Sequence, residues 1–257
     1  MFSSIGFIGT GTMGTAVARA AVKGAQGAPV LLANRTRSKA EAVARELGVQ
    51  TADNETVARE CGLIFLGVKP QMMEQLLSGL APILKARKDR FVLASMAAGL
   101  DARRIQEMAG GAYPVICLMP NTPVAVGAGV VQYYGVDANE EELSDFQNLL
   151  SAAGMIDRVN PDRLNAASAV SGCGPAFCAM FIEALADGGV WSAPGQGAGL
   201  CGQDGGGHGP ADAGEPRPPR PAEGWGMLPR RHHHSGRPHS GGPGLPLRGD
   251  GSGHRRL

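Results

Sequence analysis

The chain has 257 residues and balances 24 Lys and Arg against 23 Asp and Glu, which leaves a net charge of +1 at pH 7. This length suits one large or two small domains, and the charge provides no basic field for nucleic acid. An odd count of five cysteines without a C-x-x-C pair favours a reducing compartment over a disulfide framework. We find neither a signal peptide nor an apolar run that would span a bilayer, so a cytoplasmic protein without nucleic-acid or membrane partners is expected.

Residues 1–160 are predicted to alternate strands and helices, because short apolar runs are separated by segments with helical spacing. The predicted strands are 5–8, 30–33, 63–68, 91–95, 115–119, 130–134 and 155–159, and the predicted helices are 13–24, 38–48 and 140–154. Repeated β-α-β units with right-handed crossovers indicate an α/β fold with a doubly wound, mainly parallel, Rossmann-like sheet.

The first turn of this sheet reads GTGTMG and carries Gly9, Gly11 and Gly14 at the spacing G-x-G-x-x-G. The first glycine permits a tight turn, the second lets a pyrophosphate approach the backbone, and the third lets the helix pack on the strand. The free amides and the positive dipole end of the following helix would face the phosphates. This context favours a dinucleotide site over a merely structural turn.

The residues after the second predicted strand indicate which dinucleotide binds. An NAD site usually has an acidic residue there, but this chain reads Asn34, Arg35, Thr36, Arg37. A guanidinium and a hydroxyl suit a 2′-phosphate, so NADPH is the expected cofactor, with NADH possible. The alternative is a solvated charged loop, and for Arg37 the two interpretations are held equal.

Several further stretches are more specific than the fold requires. They read GVKP (67–70), SMAAGL (95–100), MPNTP (119–123), SGCGPAF (171–177) and FIEALADGGV (181–190). Together with GFIGTGTMG, they resemble the pyrroline-5-carboxylate reductase family over residues 5 to about 194. The resemblance implies that an imine, 1-pyrroline-5-carboxylate, accepts hydride from NAD(P)H and becomes proline. Such a reaction needs no metal and no covalent nucleophile, and no histidine precedes His208.

The resemblance also implies residue roles. Cofactor-binding positions would be Gly9, Thr10, Gly11, Thr12, Met13, Gly14, Asn34, Arg35, Thr36, Asn54, Gly67, Val68, Lys69, Pro70, Met96, Ala97 and Ala98. For Asn54 the alternative is a helix N-cap, for Lys69 surface decoration, and for 96–98 simple packing. Catalytic candidates are Asn121, which would contact the nicotinamide or cap a turn, and Ser171, which would face the substrate or bond a backbone carbonyl.

SGCGPAF is expected to interrupt a long helix, because glycine and proline break the hydrogen-bond ladder. In the family this segment begins an all-α dimerisation domain that completes the substrate site of a homo-oligomer. We assign 161–190 to a truncated version of it, after a dinucleotide-binding domain at 1–160. Helix Asn165–Gly189 is then expected to expose an apolar face that includes Phe177, Met180, Phe181 and Leu185, and assembly is expected to be impaired.

The composition changes sharply near Val190. The 67 residues from Trp191 onward contain no Val, Ile, Phe, Tyr or Lys, yet they hold 18 of the 39 glycines and 10 of the 18 prolines. Such a segment cannot bury enough apolar surface to offset its ordering entropy, so 191–257 is expected to be a disordered tail.

The tail lacks a segment like KDGVCSPGGTTI, which in the family grips the substrate carboxylate. Its own MLPRRHHHS (227–235) can be encoded as ATG CTC CCC CGG CGG CAC CAC CAT TCC. The same bases read one position later give Cys-Ser-Pro-Gly-Gly-Thr-Thr-Ile, and segments on both sides can be recoded in the same way. We therefore expect the chain to be out of frame from about residue 194; a His-rich metal-binding tail is the alternative.

Two other functions fit parts of the sequence. A β-hydroxyacid dehydrogenase also begins GFIGxGxMG, but that family needs a catalytic lysine on a later helix, and this chain has none after Lys88. A remnant that binds NADP without turnover is the non-enzymatic alternative.

Overall fold

The structure is a computed structural model, and it describes residues 1–188. Its centre is one eight-stranded sheet in the order β3-β2-β1-β4-β5-β6-β7-β8. The strands are β1 (Ile5–Ile8), β2 (Val30–Ala33), β3 (Gln50–Thr51), β4 (Leu63–Leu66), β5 (Val92–Ser95), β6 (Val115–Pro120), β7 (Gly129–Val136) and β8 (Gly154–Arg158). Neighbouring strands pair in parallel except β6 with β7, which confirms the predicted doubly wound, mainly parallel, Rossmann-like sheet.

Seven α-helices accompany the sheet. They are α1 (Thr12–Gly24), α2 (Arg37–Leu47), α3 (Asn54–Glu60), α4 (Pro70–Ala86), α5 (Ala102–Ala109), α6 (Glu140–Leu149) and α7 (Leu164–Gly188). Strands β2 and β3 extend the sheet on one side of β1, and β4 to β6 extend it on the other. The strand order therefore reverses between β1 and β4, and a crevice at such a reversal is where doubly wound folds bind ligands.

Two apolar cores form because side chains alternate between the faces of each strand. Phe7 and Phe65 point to the face covered by α1, α2 and α6, and their rings stack with centroids 4.4 Å apart. Ile8 and Leu66 point to the opposite face, which α3, α4 and α5 cover. The central strands β1 and β4 are buried along their whole length, as a parallel sheet covered on both faces requires.

Three elements lie in segments where the sequence predicted none: β3, α4 and α5. Helix α3 begins at Asn54, where a helix start was one of the two interpretations. Helix α4 carries Met73, Leu77, Leu80 and Leu84 at helical spacing, all buried, with Pro70 in its first turn. Helix α5 begins after the side-chain cap of Asp101 and ends at Gly110, whose φ is +75°. Periodicity, proline and caps therefore carried a usable signal for both helices.

Helix α7 corrects one expectation. SGCGPAF does not interrupt it, since α7 runs unbroken from Leu164 to Gly188 with Pro175 inside it. A helical proline lacks the N–H that would bind the carbonyl four residues earlier, which here belongs to Ser171. That carbonyl instead accepts a hydrogen bond of 3.0 Å from Nδ2 of Asn121. An outside donor thus compensates locally for the proline.

The exposed apolar face predicted on this helix is present. Phe177, Met180, Phe181 and Leu185 are all exposed, Phe181 to 65%. Residues 161–186 are also long and apolar enough to cross a membrane by length and composition, which sets aside the expectation that the chain contains no such run. One such helix is weak evidence of a span, and a helix that pairs with another protein surface has the same composition.

Candidate functional site

The turn between β1 and α1 is shaped by close backbone approaches. Gly9 has φ +107°, and a Cβ there would lie 2.6 Å from the carbonyl oxygen of Gly67. A Cβ on Gly14 would lie 2.1 Å from the oxygen of Gly9, so only glycine lets α1 start this close to the strand. Around Gly11, by contrast, a Cβ would meet nothing within 4 Å. The turn therefore packs tightly on the strand side and is open where a ligand would approach.

The N-terminus of α1 suits an anion. No side chain caps it, and its first turn contains no acidic residue. The first amides of a helix have no partners within the helix, and the helix dipole places partial positive charge beside them. A phosphate group would satisfy both features at once.

Thr10 lies inside this turn and carries the clearest sign of a missing partner. The residue is 6% exposed, and its Oγ1 is buried without a hydrogen bond to any described residue. A buried hydroxyl without a partner is costly, so such groups are rare unless a ligand or water binds them. Residues of the turn thus fit a phosphorylated ligand by their own chemistry.

Asn34, which follows β2, connects this turn to the next loop. Its Oδ1 accepts from the amide of Thr10 at 3.2 Å, and its Nδ2 donates to the carbonyl of Thr36 at 3.0 Å. The residues from Arg35 to Lys39 are exposed. Asn34 therefore sets the position of the Arg35–Thr36 segment relative to the glycine turn.

The two arginines of this loop differ in their surroundings. Nε of Arg37 donates to Oε1 of Glu41 at 2.9 Å, in an exposed ion pair one helical turn apart. Arg35 is exposed and forms no ion pair with any residue in 1–188. The loop contains no carboxylate that would repel a 2′-phosphate, and Arg35 is its unengaged cation.

Asn54 is the first residue of α3, and it is not the cap of that helix. Asp53 is the cap, because its Oδ1 accepts from the amide of Thr56 at 2.6 Å. This bond holds the pKa of Asp53 below its ordinary value. The N-cap interpretation of Asn54 was therefore wrong by one residue, and its half-buried side chain forms no hydrogen bond among residues 1–188.

Two predicted segments follow β4 and β5 at the same sheet edge, residues 67–70 and 96–98. Gly67 is half-buried, and a Cβ on it would lie 2.5 Å from the oxygen of Gly9 and 3.2 Å from Cε of Met96. Lys69 is exposed and precedes the first turn of α4. The small residues after Met96 differ, since Ala97 is buried and Ala98 is exposed. The remaining predicted residues here, Val68 and Pro70, are half-buried and exposed, respectively.

The two catalytic candidates meet each other in the structure. Asn121 follows β6 and is 8% exposed; Oδ1 accepts from the amide of Val130 at 2.8 Å while Nδ2 donates to the carbonyl of Ser171. The hydroxyl of Ser171 lies within hydrogen-bonding distance of Oε1 of Gln132, at 2.9 Å, and of the carbonyl oxygen of Ala167, at 3.3 Å, which bears out the predicted bond to a backbone carbonyl. The side chain of Asn121 caps no turn, although its carbonyl accepts from Val124 at the start of a 3₁₀ turn.

Two further residues belong to the cluster around Asn121 and Ser171 and were not among the predicted site residues: Gln132 and Pro175. Gln132 is 7% exposed on β7, and it looks like an ordinary polar strand residue in the sequence. Pro175 did carry a signal, since a proline inside a helical pattern predicts a free carbonyl four residues earlier.

The described thiols argue against a cysteine nucleophile in the nucleotide-binding part. Cys61 and Cys117 are buried, and burial raises the pKa of each to about 11. Thiolates are therefore scarce at neutral pH. Residues 1–188 also contain no group of three or more His, Cys, Asp or Glu side chains arranged to hold a metal ion.

The predicted loops thus lie at one edge of the sheet, because parallel strands bring their carboxyl ends together. Three features together define a Rossmann-like dinucleotide-binding protein: the glycine turn after β1, the open N-terminus of α1 and the basic loop after β2. Two family models match: "NADP oxidoreductase coenzyme F420-dependent" over residues 4–99 and "Pyrroline-5-carboxylate reductase dimerisation" over residues 161–193.

Whole-sequence relatives are more specific. Pyrroline-5-carboxylate reductase of Glycine max is 37% identical over 195 residues, which are 73% of this chain and 68% of the relative. The reductase of Corynebacterium melassecola is 32% identical and is covered to 71% of its length. The chain belongs to the pyrroline-5-carboxylate reductase family, whose members are NAD(P)-dependent oxidoreductases.

Solved structures agree with this family. A Plasmodium falciparum pyrroline carboxylate reductase with NADP bound superimposes with a TM-score of 0.67 at 27% identity, over 78% of this chain and 75% of that one. A pyrroline-5-carboxylate reductase from Coxiella burnetii gives 0.69 at 28% identity, over 79% and 76%. A Mycobacterium tuberculosis 3-hydroxyisobutyrate dehydrogenase, at 19% identity and a TM-score of 0.54, shares the fold alone.

Proposed function

We propose that this chain is built to reduce 1-pyrroline-5-carboxylate to proline with NADPH. One observation carries the proposal: in a member of the reductase family, Asn121 binds the start of the dimerisation helix at the same sheet edge that carries the open glycine turn. A dinucleotide at the turn would extend along this edge toward that helix.

The residues of the turn would bind the phosphates of the coenzyme. The amides of Thr12, Met13 and Gly14 would bind the pyrophosphate, with the hydroxyl of Thr10 as a further donor. Arg35 and Thr36 would bind the 2′-phosphate, which favours NADPH over NADH. Asn34 would orient their loop, and Asn54 would contact the adenosine side.

The nicotinamide end would lie along the edges of β4 and β5. Bound NADPH supplies a hydride for the imine carbon. Gly67, Ala97 and Ala98 are small, so they leave room for the ribose, and the partly buried Met96 excludes water beside them. Lys69 offers a positive charge at this edge. The residues at this edge would thereby bind and orient the nicotinamide end and exclude water from it, without forming a covalent bond to the substrate.

The substrate side depends on α7 and on the chain beyond it. The exposed apolar face of α7 would pair with a second copy, as in the dimerisation model that matches residues 161–193. We assign 1–160 to the dinucleotide-binding domain and 161–190 to a truncated dimerisation domain. Residues 191–257 lie outside the described part of the chain, which ends at residue 188. We propose that the chain is out of frame from about residue 194, and the end of the dimerisation match at residue 193 supports that position.

The direct test is an assay of the purified full chain with 1-pyrroline-5-carboxylate and either NADPH or NADH. Because the substrate side is truncated, we expect slow proline formation at most, coupled to coenzyme oxidation, with NADPH preferred over NADH. NADPH binding without proline formation would favour the second candidate, a remnant without turnover, which the exposed face of α7 and the tail composition support. Absence of NADPH binding would contradict both.

Growth of a proline-requiring strain would test the chain in the cell. We expect weak or no rescue, because the carboxylate-binding segment is absent from the chain as written. Full rescue would contradict the truncated-domain proposal. Fractionation of the same cells would test a cytoplasmic location, which also remains a proposal.

A further inference from the structure

Helix α7 has an unusual weakness where it begins to lie against the sheet. Pro175 cannot bind the carbonyl of Ser171, so the helix loses one backbone hydrogen bond in a partly buried region. An unpaired carbonyl in such a place is costly. Asn121, 50 residues away in sequence, donates to this carbonyl.

The second proline inside a helix shows that such a donor is not automatic. Pro82 in α4 leaves the carbonyl of Ser78 without its helical partner, but Ser78 is exposed, and no side chain in residues 1–188 donates to it. Water can satisfy that carbonyl. Of these two prolines, only Pro175 leaves a carbonyl that accepts a hydrogen bond from a buried side chain.

Asn121 is itself held from two sides. Its side-chain Oδ1 accepts a hydrogen bond from the backbone amide of Val130 in β7. Its backbone amide donates to the carbonyl of Val130 at 3.1 Å. The hydroxyl of Ser171 adds a bond to Gln132, two residues further along β7. The α7 backbone is thus connected to β6 and β7 at one point, next to the sheet edge that holds the candidate coenzyme site.

We propose that Asn121 is a positioning residue that fixes α7 on the sheet by occupying the carbonyl left free by Pro175. Asn121, Ser171 and Gln132 then act through the helix, and neither Asn121 nor Ser171 needs to touch a reacting atom. The positioning role itself does not depend on the proposed function. The proposed function enters only in the statement that α7 is positioned for the substrate side of the site.

The test uses Asn121→Asp in the full chain, because the carboxyl keeps the acceptor for Val130 and loses the donor for Ser171. Hydrogen exchange of α7 amides is compared with the wild type at the same pH. At pH 7 we expect exchange roughly tenfold faster or more, since a carboxylate oxygen would face the Ser171 carbonyl. Amides of β1, β4 and β5 serve as internal references and should not change.

Acidification supplies a signature that a mere loss of packing would not give. The buried introduced carboxyl should have a pKa above the ordinary value of about 3.9, and in its protonated form it donates to the Ser171 carbonyl again. Protection of α7 should therefore be complete below the unfolded-state pKa and be lost as pH rises through the raised folded-state pKa. Wild-type α7 should show no such transition.

Proline replacement is the second arm. In a Pro175→Ala background the new backbone N–H binds the Ser171 carbonyl, so Asn121→Asp should lose most of its effect. In the matched Pro82→Ala background the effect should persist in full. Equal effects in both backgrounds, or normal α7 exchange in Asn121→Asp itself, would overturn the inference.

The hydroxyl contact has its own matched pair. Ser171→Ala removes the bond to Gln132 and a bond to the carbonyl of Ala167 within the helix, whereas Ser168→Ala removes only bonds within the helix, to the carbonyls of Leu164 and Asn165. Only the former should loosen α7 from the sheet. NADPH affinity is measured on the wild type as well, and absence of binding there would count against the proposed function and not against the positioning role.

Discussion

At the scale of single residues, the candidate coenzyme site is recognised by groups that lack partners. The hydroxyl of Thr10 is buried without a hydrogen-bond partner, and Arg35 has no ion pair among residues 1–188. Their neighbours do have partners. Asn34 forms hydrogen bonds with Thr10 and Thr36, and Arg37 forms one with Glu41. A buried or charged group is tolerated without a partner when a ligand supplies one, so these residues are the most informative to replace.

Thr10→Val should separate stability from coenzyme binding. The substitution preserves shape and removes a buried hydroxyl without a partner, so the free energy of unfolding should rise by about 1 kcal/mol. NADPH affinity should fall by roughly tenfold, because one donor to the phosphates is lost. Thermal unfolding and calorimetric titration measure the two effects. A stability loss would show that the hydroxyl has a structural partner.

Arg35→Ala should change coenzyme selectivity. Loss of a charge-assisted bond to the 2′-phosphate should weaken NADPH binding by roughly tenfold or more and leave NADH binding unchanged. Arg37→Ala is the matched control and should have a smaller effect, since Arg37 is paired with Glu41. Titrations with both coenzymes give the ratio. An equal loss for NADPH and NADH would place Arg35 away from the 2′-phosphate.

At the scale of elements, α7 differs from the other helices. Helices α1, α4 and α5 bury an apolar face against the sheet, whereas α7 contacts the sheet near Asn121 and leaves Phe177 and Phe181 exposed. The family resemblance, rather than periodicity, predicted the helix and its exposed face. The unbroken course through Pro175 was not predicted, because the donor that compensates for the proline lies on a different element.

Phe177→Gln combined with Phe181→Gln should reduce self-association without unfolding the nucleotide-binding part. Both rings are exposed, so their replacement removes no core packing, while a sticky apolar surface is lost. Sedimentation should shift toward monomer, and light scattering should fall. Phe7→Ala is the contrasting variant: its ring is fully buried, and the loss should cost about 3–5 kcal/mol. Unchanged association of the double variant would show that this face is not the contact.

At the scale of the whole molecule, the sheet edge is built from loops that come after different strands, and parallel pairing brings them together. The coenzyme half of the proposed site lies within residues 1–160, so it does not depend on the tail. Under the proposed function, the substrate half would depend on a second helical unit and on a carboxylate-binding segment, and the sequence contains no segment resembling the latter. The chain should therefore be more capable of binding NADPH than of turning over the imine.

Restoring the alternative reading frame from about residue 194 should raise turnover by roughly 100-fold or more, because substrate-positioning groups contribute on that scale. The dissociation constant for NADPH should not change, since residues 1–160 are identical in the two chains. Proline formation and calorimetry of both chains, purified side by side, provide the comparison. Equal turnover would contradict the frame hypothesis, and zinc binding by the present chain would support the His-rich alternative.

Features that depend on neighbouring residues could be predicted from the chain alone: the glycine turn, the Asn34–Arg37 loop and the alternation of strands with helices. Each is fixed by local backbone geometry or by a short repeat, so spacing along the chain is sufficient. The hydrogen-bond partners of the loop side chains, by contrast, became known only from the fold. It gave the cap of α3 to Asp53 instead of Asn54, and it joined Asn121 to Ser171 across 50 residues. Such partners depend on which strand ends lie side by side, and that arrangement is set by sheet topology and burial rather than by any short pattern.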